Sequence, residues 1–566
     1  MTEGQSNIES LINHGRYFEA RSKAEEGLRN SDELRLKQLF ALATSKSGNP
    51  KVALDYLSGL YASNPDDPET AGILGGIYKE LFKKHQDSRY AILSRDTYLK
   101  NFTATKNYYT GINAATMSAI AGKAVQGREI AATVISLIES QANSLWEMAT
   151  LGEAYLLTKN RDRSVEYYIK ARQLAGTDWG KVLSIHNQLW LLNHYMPVPK
   201  EVQRIFSPPV VVAFAGHMID APGRPTPRFP TAIESRVKDA IRGAIRTLNA
   251  SIGYCSLASG GDILFAEAMT EEGGEVHVLM PFSKADFIDT SLSFAGQSWI
   301  DRFEALQTKY PNTFISYDRY GGNDDLFSLL GKVIFGSAIL RSQTYHQEPF
   351  LLTVLSEYDL KRREGGTRDT LQLWPFPQRH TNINPDIMLT PGQPGNAELP
   401  TLGYERTLIP NRPVLYTACL ELSAVLPMDR ERIEKLIKSM AGEEQLSLKI
   451  FESRAESIVF GLETEIGLMD IVRAVWNSTS TFKPEKPLRI GLHAAPIYVN
   501  ATDDDHNLAA LYSISEFTPK GSICASIGFA AVLALYPKKF QLDYVGIIQL
   551  KDHPDSTDLY QITFKQ

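Results

Sequence analysis

Two adjacent prolines, Pro208 and Pro209, constrain this chain more than any other feature. Neither can donate a backbone N–H, so no regular helix runs through them. Before them, apolar residues recur at spacings of three and four, the period of a helix face, and proline is sparse until Pro197. After them comes Val210 to Ala215, an apolar and β-branched run suited to a buried parallel strand. The chain is therefore expected to be helical up to this point and to change class beyond it. At 566 residues it is also too long for a single core, so several domains are expected.

Composition narrows the function classes. The residues are 43% hydrophobic and 22% charged, as in a soluble globular protein. The net charge of −6 gives no sign of a nucleic-acid surface, and none is expected. Cys255, Cys419 and Cys524 lie far apart with no metal-ligand spacing, which points to a reducing compartment without disulfides or zinc. MTEGQSNIES lacks a leader pattern, and no apolar run reaches the length of a membrane span. A cytoplasmic protein, away from the membrane, is the expectation.

Residues 1–200 carry a repeat of about 34 residues. Ala53, Leu57, Leu60 and Pro65 fit the second helix of one unit, and Leu74, Gly75 and Tyr78 the first helix of the next. Leu151, Gly152 and Tyr155, then Tyr168 and Ala171, fit a later one. The glycine lets paired helices approach and the aromatics fill the gap. This pattern resembles tetratricopeptide repeats. DDPETAGILGGIYKELF (66–82) and NYYTGINAATMSAIAGK (107–123) resemble, more narrowly, the TRAFs-binding helical region of apoptosis signal-regulating kinases, which also occurs in bacterial proteins. The resemblance implies a protein partner. Tyr78, Tyr109 and Asn113 are expected to pack helices.

Residues 208–375 alternate strand, turn and helix, the signature of a doubly wound sheet. Ligands sit beyond the carboxyl ends of such strands. Small and polar residues gather there: Gly216 and His217 after the first strand, then Ser259, Gly260, Gly261 and Asp262 after the second. Gly365, Gly366 and Thr367 precede a later helix, and Asp220, Arg224, Arg228 and Arg302 are further polar candidates. Glycines opening a helix could let phosphate reach backbone N–H groups. Asp262 could cap its helix or touch a ribose, Glu267 is expected to face solvent or a neighbouring helix, and Trp299 and Trp374 to pack. SLASGGDILFAEAM with GGEVHVLMPF, and EGGTRDTLQLW (364–374), resemble the SLOG superfamily of nucleotide hydrolases and nucleotide-signal sensors. The resemblance implies a nucleotide-derived ligand at these positions. The hydrolase motif's proline and spacing glycine are absent, and Asp369 is a loose match to its carboxylate. Were the domain a hydrolase, Asp262, Glu267 or Asp369 would serve as acid or base.

Residues 376–410 are rich in proline, asparagine and glycine and are expected to be a linker. From 411 to 566 the elements run strand, helix, strand, strand, helix, strand, helix, strand and hairpin. With RIGLHAAPIY, HNLAALYSISEFTPKGSICAS and DYVGIIQLKDHPDSTDLYQI, this order resembles the class III nucleotide cyclases. Family members hold two metal ions on two acidic residues, and an Asn–Arg pair serves the transition state. Here the first acidic position falls on Ala418, with Glu421 expected on the opposite strand face. The second falls on Glu456, and the pair on Asn507 and Leu511. Asp503–Asp505 read as a solvated loop. The resemblance thus implies a pseudo-cyclase, with magnesium only if the site is active, and a homodimer.

The expected architecture is all-α tetratricopeptide-like repeats, an α/β Rossmann-like domain and an α+β cyclase-like, ferredoxin-like domain. The expected function is a nucleotide-signal sensor and adaptor, in a bacterial signalling or conflict system by resemblance. The alternatives are a nucleotide-processing enzyme, hydrolase or weak cyclase, and a scaffold without a small ligand. No cofactor is assigned beyond that ligand.

Overall fold

The computed structural model describes the chain except residues 1–2, 311, 317–318, 358–366, 391–412, 423–426, 455, 480–487, 498–505, 552–555 and 566. It forms two compact units: Met1–Pro208 with Val545–Ile547, and Pro209–Tyr544 with Ile548–Gln566. No helix among the described residues is long and apolar enough to cross a membrane.

The first unit is built of helix hairpins. Its helices are α1 (Glu3–Asn13), α2 (Tyr17–Leu28), α3 (Leu34–Lys46), α4 (Pro50–Ser63), α5 (Pro68–His85) and α6 (Ser88–Thr105). They continue with α7 (Tyr108–Ile120), α8 (Ala124–Ile138), α9 (Leu145–Leu157), α10 (Arg161–Ala175), α11 (Trp179–Asn193) and α12 (Lys200–Ile205). Local sequence sets the helix starts. Asp67 accepts the Thr70 N–H ahead of Pro68, and Ser144 with Glu147 forms a capping box at α9. Within hairpins, glycines receive aromatic rings as the sequence suggests. A Cβ on Gly152 would lie 2.7 Å from the Tyr168 ring, and one on Gly75 would meet Tyr98 at the same distance. Both tyrosines are fully buried, each stabilising its hairpin by about 1.5–3 kcal/mol.

The second unit holds two sheets. The first is parallel throughout, from β1 (Val210–Gly216), β2 (Ala250–Cys255), β3 (Glu275–Met280), β4 (Asn312–Phe314), β5 (Phe350–Val354) and β6 (His380–Ile383). The strand order is β4-β3-β2-β1-β5-β6. Its crossover helices are α13 (Glu234–Leu248), α14 (Gly261–Glu271), α15 (Lys284–Ser291), α16 (Gln297–Lys309), α17 (Asp325–Gln343) and α18 (Thr367–Gln372). β6 corrects one expectation. It lies inside the stretch expected to be a linker from 376, yet it pairs with β5. Polar side chains add to the pairing: buried Thr353 Oγ1 meets His380 Nε2 at 2.8 Å and Asn382 Oδ1 at 2.7 Å. Residues 391–410 of that stretch lie outside the described residues.

The second sheet comprises β7 (Val414–Glu421), β8 (Ile450–Ser453), β9 (Ser457–Leu462), β10 (Arg489–Pro496), β11 (Ile523–Ser526), β12 (Phe540–Gln549) and β13 (Ser556–Phe564). Its order is β12-β13-β11-β10-β7-β9-β8. β7 pairs antiparallel with both β9 and β10, whereas β10 and β11 are parallel. Four helices accompany it: α19 (Pro427–Glu443), α20 (Glu465–Thr479), α21 (His506–Phe517) and α22 (Ile527–Ala534). The two sheets share one compact unit because α17 packs on β1, β2 and β3 and also on α22 and β7.

Candidate functional site

In the parallel sheet, β1 has β2 on one side and β5 on the other. The chain reverses direction across the sheet at β1, and in open parallel sheets such a switch point, beyond the strand ends, is where ligands sit. His217 and Ser356 span this point. The Ser356 N–H donates to His217 Nε2 at 2.9 Å, and the His217 N–H donates to Val354 O at 2.9 Å. A ring nitrogen that accepts carries no proton, so in this arrangement the ring proton is on Nδ1. Both residues are buried. On the other side of β1, Ser256 follows β2 directly. It is 4% exposed, and its Oγ has no hydrogen-bond partner among the described residues. A buried orphan hydroxyl is uncommon in a folded protein and marks a place for a ligand or a water. Ser256 and Ser356 carry no motif, so sequence reading missed both; their position one or two residues past apolar strands was the available signal.

The glycine turn before α14 has an internal use. The Gly261 N–H donates to His217 O at 2.9 Å, and the Ile219 N–H to Ser259 O at 2.9 Å. Gly260 holds φ at 105°, and a Cβ there would lie 2.5 Å from Ile219 N. The turn and the chain leaving β1 thus lie backbone against backbone. The N–H of Gly261, expected to face a phosphate, is occupied by protein. Ser259 Oγ donates to Ser291 O at 2.7 Å.

Asp262 neither caps α14 at its first residue nor stands free for a ribose. Its carboxylate accepts from the Ala258 N–H at 3.3 Å and from the Gly216 backbone, tying the ends of β1 and β2. Burial pushes its pKa up to about 7. Asp220 organises the loop after β1. It accepts the N–H groups of Arg228 and Phe229 at 2.8 and 2.9 Å, with Arg224 Nε at 3.4 Å. Arg224 also donates to Thr226 O, which holds its stem at the loop tip.

Other candidates fall away from this point. Glu267 belongs to an ion network with Arg302 and Lys238, which hold its carboxyl below the usual range against the opposing effect of burial. Glu234 completes it. Glu267 therefore faces neighbouring helices, as expected, and is no candidate acid at the strand ends. Trp299 and Trp374 are buried packing residues; Arg302 lies over the Trp299 ring at 4.1 Å. Gly365 and Gly366 lie outside the described residues, as do the side chains of Thr367 and Asp369 on α18.

In the second sheet, strand register shows where the expected residues lie. Ala418 is fully buried between Phe460 and Leu492, well inside the sheet. Glu421 is the residue across from Ser457, and the Leu422 N–H donates to Glu456 O at 2.7 Å. The carboxylate at the end of β7 beside the Glu456 turn is therefore Glu421. Glu421 is ion-paired with Arg489, which also donates to Glu516 O at 2.7 Å. Asn507 donates to Pro496 O at 2.9 Å. Leu511 is fully buried in an apolar cluster with Leu415, Cys419, Val459, Ala495, Ile497 and Leu508. Asp503–Asp505 lie outside the described residues, and among those described no group of three or more His, Cys, Asp and Glu is placed to hold a metal.

Comparison with known proteins gives one family match. Residues 16–118 match the family described as Tetratricopeptide Repeats-Sensor. No curated protein matches the chain. Among solved structures, a thermophilic tetratricopeptide-repeat protein of Thermus thermophilus is similar at 18% identity, over 33% of this chain and 97% of its own, with a TM-score of 0.28. An adenylyl cyclase from P. aeruginosa is similar at 11% identity, over 27% of this chain and 95% of its own, with a TM-score of 0.20. Adenylate cyclases from Trypanosoma brucei are similar at 9% identity, over 26% of this chain and 89% of theirs, with a TM-score of 0.21. The N-terminal helices are tetratricopeptide-type repeats, by the match at residues 16–118.

Proposed function

We propose that this chain is a signal-dependent adaptor. Its repeats hold a protein partner, as stacked helix hairpins commonly do. Its parallel-sheet region, read as SLOG-like, takes a nucleotide-derived ligand at the crevice between β1 and β5. Its second sheet, read as a degenerate class III cyclase, serves as a dimerisation and relay element. The observation that carries the ligand reading is the orphan Ser256 hydroxyl at the carboxyl end of β2, the neighbour of β1, whose own carboxyl end carries His217 bonded to Ser356 past β5. The tetratricopeptide-sensor match supports the adaptor half.

The donor set of the second sheet does not suit a pair of catalytic metal ions. Ala418 offers no oxygen, Glu421 already has Arg489, and Leu511 is core. The alternative, a hydrolase at the same strand ends, would use Asp262 as its acid or base. Product release abolished by Asp262→Asn would favour that reading.

The test is a thermal-shift panel on the whole chain with ATP, GTP, NAD, ADP-ribose, and linear and cyclic dinucleotides, each with magnesium. Binding to the folded state raises the midpoint by mass action. A shift with one ligand class, lost in Ser256→Ala, is expected. No shift with any ligand would move the reading to a protein-only scaffold.

A further inference from the structure

Within the second unit, α17 crosses from β4 to β5, and its last turn carries Arg341 toward the amino end of β5. That is the opposite end of β5 from Val354, where the His217 N–H is bonded. The helix also contacts β7 and α22, so its surroundings are drawn from both sheets.

Tyrosines surround Arg341. Its guanidinium lies 5.4 Å from the centre of the Tyr345 ring, just past the end of α17. Tyr254 on β2 and Tyr560 on β13 each lie within electrostatic reach of both Arg341 and Asp558. Asp558 and Tyr560 are two residues apart on β13, so their side chains leave the same face of that strand. Tyr345 is 1% exposed and Tyr254 8%, so the walls of this cluster are buried aromatic rings. Burial raises the pKa of the Tyr254 and Tyr560 phenols, which therefore stay protonated and can donate as well as accept.

The charges divide into matched and unmatched. On β3, Glu275 Oε1 lies 2.6 Å from His277 Nε2, and the His277 ring stacks on Tyr254 at 4.5 Å. That carboxylate has its partner. Arg341 has none: its Nε is buried without a hydrogen bond, and it forms no ion pair among the described residues. The Asp558 carboxylate likewise has no hydrogen bond or ion pair among them, and withdrawal from water pushes its pKa up to about 6. Two opposite charges thus face the same two phenols and do not pair with each other. Groups withdrawn from water usually find partners within the fold, and a donor and an acceptor both left open mark a place for a ligand.

We propose that Arg341 and Asp558 together bind a small zwitterion, an α-amino acid whose carboxylate meets the guanidinium and whose ammonium meets the Asp558 carboxylate. The planar fork of an arginine matches a carboxylate with two parallel N–H···O bonds. Asp558 gives the ammonium its counter-charge, and the faces of tyrosine rings attract a cation. A plain anion would leave Asp558 unpaired and repelled, and a plain cation would do the same to Arg341. A ligand with both charges satisfies both groups. The site lies away from the strand ends beside His217 and does not rest on the nucleotide reading.

The experiment is calorimetric titration of the full chain with glycine, L-leucine and L-phenylalanine. Each is paired with its N-acetyl derivative, which lacks the ammonium, and its amide, which lacks the carboxylate. At least one free amino acid is expected to bind, and both of its derivatives to bind at least about tenfold more weakly, as the loss of a charged hydrogen bond implies. Arg341→Gln and Asp558→Asn are each expected to lose the binding. Neither side chain has a protein partner in the free chain, so both variants should melt with the wild type. Binding by no free amino acid, equal binding by the derivatives, or unchanged binding in either variant would overturn the site. So would a variant that melts well below the wild type without ligand, because its side chain would then have a partner within the protein.

Discussion

Gly336 on α17 and Ala531 on α22 meet backbone to backbone: a Cβ at Gly336 would overlap the Ala531 carbonyl. One turn earlier on α17, Lys332 reaches the buried Glu465 carboxylate at 2.9 Å and the Tyr416 hydroxyl at 3.2 Å. The Tyr536 hydroxyl donates to the same Glu465 oxygen at 2.8 Å. One helix is thereby locked to the cores of both sheets in the second unit.

Gly336→Ala should therefore destabilise, although alanine favours a helix over glycine by about 1 kcal/mol. The close approach leaves no room, so α17 and α22 must part. The expected cost is about 2–3 kcal/mol, as for other overpacked sites. Denaturant unfolding measures it; a neutral or stabilising effect would show that the contact is loose.

Lys332→Met removes the cation beside a carboxylate whose side chain is 9% exposed. The expected loss is about 3 kcal/mol, because Glu465 is left buried without its counter-charge. Adding Glu465→Gln should recover part of it. Additive losses in the double variant would mean the two residues do not interact.

Asp262 gives a pH signature. Its folded pKa of about 7 lies above the unfolded value of about 4, so between these the folded chain binds more protons. Its contribution to stability is complete at low pH and is lost as pH rises through that window, with a slope of at most ~1.4 kcal/mol per pH unit. Asp262→Asn removes this slope. The melting temperature of the variant minus that of wild type should climb from about pH 4 to about pH 7 and then level; a flat difference would contradict the assignment.

Much of this could be read in the sequence, for physical reasons. The helix period, the Gly152–Tyr168 hairpin contact and the strand at Val210 follow from local patterns, whereas Tyr98, which fills the gap at Gly75, was not singled out. β6 did not, because HTNI is short, polar and flanked by proline-rich chain; side chains of Thr353, His380 and Asn382 define it. The packing of the second sheet could not be read in advance, because register is fixed by strand pairing, which a single strand does not carry. The Glu421–Arg489 ion pair, for example, joins two strands that lie far apart in sequence. Ser256, Ser356 and Arg341 were invisible because each matters only for the residue it meets, or fails to meet, from a distant part of the chain.

Ser256→Ala separates structure from function. Removing an orphan hydroxyl should leave the free chain's melting temperature unchanged or slightly raised. The same variant should lose any nucleotide-induced shift. A strong drop in stability without ligand would show that the hydroxyl has a structural partner.

The second sheet should yield no cyclic product from ATP or GTP, even with manganese. Product formation would overturn the reading of Arg489, Glu421 and Leu511.

The central claim is that the crevice beside His217 senses a nucleotide-derived signal. Hydrogen exchange of the whole chain, with and without the nucleotide that gives the largest thermal shift, tests it most directly. The account expects slower exchange at residues 216–219, 256–262 and 354–357. Protection confined to other segments, or none, would contradict it.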